Sequence, residues 1–147
     1  MIETRLALAY ATILSAVTVA CTRLLGRVVP IVLHGYDYPV PDGRGFLGGL
    51  DALPGPWLEP GFREKGYTLL EERIDIAKSL IDRFNYTLAA IAQMPAFAHV
   101  KVINLRGTLS TELTRERYKE DWGNELHPTW GGFESVARKF ADLLTRI

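Results

Sequence analysis

The chain has 147 residues, 48% hydrophobic and 10% aromatic, enough to bury one core and too apolar for a disordered chain. Seventeen basic residues balance seventeen acidic ones, and no basic stripe offers a footprint for nucleic acid. The single cysteine, Cys21, excludes an internal disulfide framework and a cysteine-rich zinc site.

The N-terminal segment reads as one helix over residues 4–26, closed by Gly26 in the usual C-terminal position. Its stretch from Leu6 to Thr22 carries no charge and is bounded by Arg5 and Arg23. Two readings stand for residues 6–22. One is a core helix packed on a sheet through Leu6, Ile13, Val17 and Leu24. The other is a signal or membrane anchor, for which 17 residues is at the short limit and "MIETR" is a weakly basic start. The first goes with a cytoplasmic location, the second with a membrane-anchored or exported protein.

"VVPIVLHGY", 28–36, is a β-branched run of the kind buried in parallel sheets, with Pro30 near its start. The stretch 37–62 is rich in Gly and Pro and has no period. Phe46, Leu47, Leu50, Leu53, Trp57, Leu58 and Phe62 nevertheless call for burial, so it reads as an ordered excursion that covers something. Residues 68–93 form the clearest helix, with Ile74, Ala77, Ile81, Phe84, Leu88 and Ile91 on one face. "HVKVINLRG", 99–107, is a second strand. A charged loop, 108–123, leads to a last helix over about 132–146, with Phe133, Val136, Ala137, Phe140 and Leu144 inward.

Strands separated by a helix imply parallel pairing of 28–34 with 100–105 through a right-handed crossover over 70–92. Ligands of such open sheets sit at the carboxyl ends of the strands. His34 and Asp37 follow the first strand at that edge, and the loop carrying His127 follows the second.

Three readings of His127 are open. A metal ligand needs three or four partners; His34, Asp37, Asp121 and Glu125 are available, but no ligand spacing joins them, so no metal is expected. A residue at a helix start is the second, with Thr129 capping the last helix. A general base oriented by a nearby Asp or Asn is the third. Trp122 and Trp130 flank it, either as an apolar wall beside an acyl group or sugar or as packing against the long loop. His34 and Asp37 either line the same rim or form a polar strand end and turn.

The stretch "NELHPTWGGFESVARKFADLL" resembles the C-terminal motif of the SGNH, or GDSL-type, serine hydrolases, where an Asp-x-x-His pair stands just before the last helix. "VVPIVLHGYDYPVP" and "VINLRGTL" look like two later strands of that fold, so the likeness runs through most of residues 28–145. It implies a three-layer, flavodoxin-like parallel sheet, no cofactor, and His127 as the base. Asn124 stands where the family has the orienting Asp, and Asp121 is the other candidate. Glu125 is expected to point away. The family's earlier blocks, with the Gly-Asp-Ser nucleophile and the oxyanion hole, have no counterpart among Ser15, Ser79, Ser110 and Ser135.

The expectation is therefore a single partial domain over 1–147, incomplete at its N-terminus, acting on a small-molecule ester such as an acetylated glycan or lipid. A partner chain would complete the open sheet. The alternative is a non-catalytic remnant or binding module of that fold, tethered to a membrane if residues 6–22 are an anchor.

Overall fold

The computed structural model describes residues 2–46 and 54–146. Helix α1 spans Ile2–Leu25 and strand β1 Ile31–His34; the long excursion then holds a short helix, α2, at Glu59–Glu64. Helix α3, Leu70–Ala92, leads to β2, Val100–Ile103; α4, Tyr118–Asp121, and α5, Trp130–Leu144, follow. Leu47, Leu50 and Leu53, expected to be buried, lie outside the described residues.

The strands are parallel, with Ile31 opposite Val100 and His34 opposite Ile103, and α3 is the crossover between them. The three-layer parallel sheet does not form. The described residues are mostly helical, and the sheet has two strands. The physical reason lies in the pattern: among the described residues only Ile31–His34 and Val100–Ile103 are strands, while most other apolar residues recur at helical spacing.

Leu14, Ile91, Phe97 and Val100 form one core cluster, with Ala7, Tyr10, Ala11, Ile31 and Leu33 packed against it. The face of α1 turned inward is thus Ala7, Tyr10, Ala11 and Leu14, not the expected one. Leu14 is 1% exposed, against 58% for Ile13, and Val17 and Leu24 are exposed too. Two alanines on that face are small enough to bring the helix axis close to α3, its main neighbour. α1 is long and apolar enough to cross a membrane, yet almost none of its apolar stretch is buried in this fold.

The second core cluster builds the functional end. Val40, Ile74, Leu109, Tyr118 and Trp122 join the start of the excursion to α3, to the chain after β2 and to α4. Thr129 caps α5 by accepting from the Gly132 amide at 3.1 Å. Gly132 is needed there because a Cβ would collide with the Asp121 carbonyl and come within 2.9 Å of Pro128. Phe133 and Leu144 of α5, expected to face inward, are half exposed.

Candidate functional site

The carboxyl ends of β1 and β2 are fastened to each other by one carboxylate. Buried Asp37 accepts the amides of Tyr38 at 2.8 Å and of Gly107 and Leu109 at 2.7 Å. Those three donors take most of its roughly four acceptor sites, so the main work of Asp37 is to fasten the rim together. A second link runs from the Tyr38 hydroxyl and from Arg106 to Asp82, each at 2.8 Å. These two bonds hold the Asp82 carboxyl below its ordinary range. Gly35 is required beside them, because a Cβ there would run into the Asn85 side chain.

The histidine loop is a closed turn. Trp122 bridges Pro128, the Gly123 amide donates to the His127 carbonyl at 2.9 Å, and the Thr129 amide to the Asp121 carbonyl at 2.8 Å. Asn124 fills the turn, 5% exposed. Its Oδ1 accepts the backbone amides of Leu126 at 2.9 Å and His127 at 2.8 Å, and it lies 3.1 Å from His127 Nδ1. Two amide donors identify that atom as the oxygen. The ring nitrogen facing an oxygen must carry the proton, so Nδ1–H donates and Nε2 keeps its lone pair. Nothing among the described residues bonds Nε2.

Asp121, the other candidate for orienting His127, is engaged elsewhere: its Oδ2 accepts the Ser110 amide at 2.7 Å. Trp122 is buried in the core beneath the loop and also lines the cavity described next. Trp130 is 89% exposed on α5 and lies outside that cavity.

A cavity of about 530 Å³ opens at this rim. His34 and His127 line it with Asp37, and Leu105, Leu109, Leu126, Phe133 and Phe140 supply apolar wall. The segments after both strands thus meet in one cavity. The His34 ring lies edge-on to Phe140, with centroids 5.4 Å apart. Its Nδ1 is 2.8 Å from the Gly35 carbonyl, which only accepts, so Nδ1 donates and Nε2 is again the free nitrogen. Tyr36 also lines the cavity and gives its hydroxyl proton to the Leu126 carbonyl. Burial, with the Asp37 charge beside it, raises its pKa, so it stays a neutral donor.

Two site residues escape sequence reasoning. Trp57, read only as a residue seeking burial, meets the His127 ring edge to face at 5.7 Å. Glu125 turns away from His127, as alternation with 124 and 127 suggested, but it is completely buried. Its carboxylate accepts the amides of Gly43 and Glu59 at 3.0 Å and of Trp57 and Leu58 at 2.7 Å. The one signal for Glu125 was its charge in a loop otherwise closing on apolar residues. Nothing in a stretch without periodicity could have paired it with residues 43–59.

None of the four serines reaches the cavity. Ser15 and Ser79 are exposed on α1 and α3, and Ser135 bonds the Gly131 carbonyl within α5. The Ser110 hydroxyl accepts the Glu112 amide at 3.1 Å. Among the described residues no cluster of three metal-ligating side chains occurs. No protein-family profile, curated protein or solved structure matches this chain.

Proposed function

We propose that this chain carries the base half of an SGNH-type ester hydrolase site. His127 Nε2 is the general base, Asn124 orients it, and the apolar cavity takes the acyl part of the ester. The observation that carries the reading is the shared Asn124 oxygen, which fixes the Nδ1–H tautomer and leaves Nε2 free beside the cavity. Asn124 holds the tautomer but lacks the charge that would stabilise an imidazolium.

The serine nucleophile comes from outside these 147 residues, since no serine here lines the cavity. The half-exposed strand β1 supports a partner that completes the sheet at that edge, because a parallel strand of this composition is normally covered on both faces. The same serine placement favours a second reading, a module that binds an acyl group and leaves it intact.

Hydrolysis of p-nitrophenyl esters of increasing acyl length by the isolated chain tests this. The expected outcome is weak, saturable turnover that grows tighter with acyl length and disappears in His127→Ala, with no serine labelled by a fluorophosphonate. General-base action alone is worth about 10²–10⁴-fold. Saturable binding with a rate unchanged in His127→Ala leaves only the binding module. Hydrolysis that neither saturates nor depends on His127 removes both readings.

A further inference from the structure

We propose that Glu125 is the positioning residue of the His127 site: by gathering the amides of Gly43, Trp57, Leu58 and Glu59, it holds the Trp57 indole against the imidazole, so that these residues and the base form one unit. This rests on the reading of His127 as the working base.

Glu125 is 0% exposed, and no cation pairs with it among the described residues. A buried carboxylate without a counter-charge is costly unless its lone pairs are met by donors. Here four backbone amides meet them. Oε1 takes Gly43 and Glu59 at 3.0 Å, and Oε2 takes Trp57 and Leu58 at 2.7 Å. A carboxylate has about four acceptor sites, so none is left for a substrate or a proton relay. That count makes Glu125 a residue that acts through others.

What it holds is specific. Leu58 and Glu59 open α2, and their amides are among those a helix start leaves without partners. Glu59 in turn lies 3.3 Å from buried Arg73 of α3, which ties this end of the excursion to the body of the protein. At the other end, the Glu125 amide donates to the Arg44 carbonyl at 3.3 Å, and Arg44 Nη1 donates to the Trp122 carbonyl at 2.9 Å. Both ends of the excursion therefore converge on the histidine loop, and Trp57, the first residue of the bonded run 57–59, is carried to the His127 ring. Asn124 and Glu125 divide the work. The first fixes the imidazole by Nδ1 from within the turn, and the second fixes the wall that the imidazole faces. A Gln at 125 would keep the volume but turn amide hydrogens toward amide hydrogens, so one pair of bonds must break.

The test reads ring signals of Trp57 and His127 by NMR in the full chain, from about pH 5 to about pH 9, the range that brackets imidazole titration. The titratable groups that share the cavity with His127 are His34, Tyr36 and Asp37, so His127→Gln is the control. In the wild-type protein the Trp57 signals should follow His127 with the same midpoint, and in His127→Gln they should stay still. In Glu125→Gln they should cease to follow His127, and amide exchange at Trp57, Leu58 or Glu59 should quicken by about tenfold as an acceptor is lost. Glu125→Asp, too short to reach both amide pairs, should fall between. Should Glu125→Gln fail to fold, Glu125→Asp and the wild-type against His127→Gln comparison still decide. Trp57 signals indifferent to His127 in the wild type, or unchanged coupling in Glu125→Gln, would overturn the proposal. Coupling without His127-dependent ester hydrolysis would instead remove the proposed function and leave the positioning role in place.

Discussion

At the scale of single residues, the site turns on one oxygen. Asn124 Oδ1 serves two backbone amides and the His127 ring, so loop geometry and tautomer are set by the same atom. Asn124→Ala should therefore do two things. It should lower stability by about 1–3 kcal/mol, the usual cost of stranding buried donors, and it should release the imidazole, lowering any His127-dependent rate. Asn124→Asp keeps every acceptor and adds a charge next to the ring. Hydrogen bonds to an ionised acceptor are roughly twice as strong as neutral ones, so this variant should fold at least as well and raise the rate. Denaturant unfolding, with ester hydrolysis on the same samples, checks both. A rate that falls in Asn124→Asp would show that Asn124 does not orient a base.

At the scale of elements, the sequence was legible wherever one period dominated. The α3 face through Ile74, Ala77, Leu88 and Ile91 is buried, and the pairing of 31–34 with 100–103 follows from two β-branched runs around one amphipathic helix. α1 was legible as a helix but not in its facing. Its residues are apolar nearly all round, so no stripe told Leu14 from Ile13. The choice is made by the partner surface, chiefly α3, which accepts Ala7 and Ala11 at close range and leaves the larger aliphatics outside. Leu14→Ala should cost about 2–5 kcal/mol, as for other fully buried leucines. Ile13→Ala, at a site 58% exposed, should cost far less. Urea unfolding of the two variants separates this facing from the one through Ile13 and Val17, which would reverse the order.

At the scale of the whole molecule, topology does what no local motif could. Parallel pairing puts the segments after β1 and β2 at one edge, and residues distant in sequence line one cavity there. The two strands were legible in the residues as two β-branched runs; the larger sheet came only from the resemblance, and the described residues form a two-stranded sheet. The parts of the site carried by the 43–59 excursion were hidden for a different reason: their contacts are backbone amides on one carboxylate, which leave no pattern in side chains. The chain contains a built-in control for the central claim. Its third histidine, His99, precedes β2 at the opposite edge and is bonded to Thr18 of α1 at 2.8 Å. Titration with a non-hydrolysable acyl mimic such as an octan-2-one, followed on the three imidazoles by NMR, is the most direct measurement. The account predicts that His34 and His127 shift together along one saturation curve while His99 stays still. No saturable shift at His127, or an equal shift at His99, would contradict it.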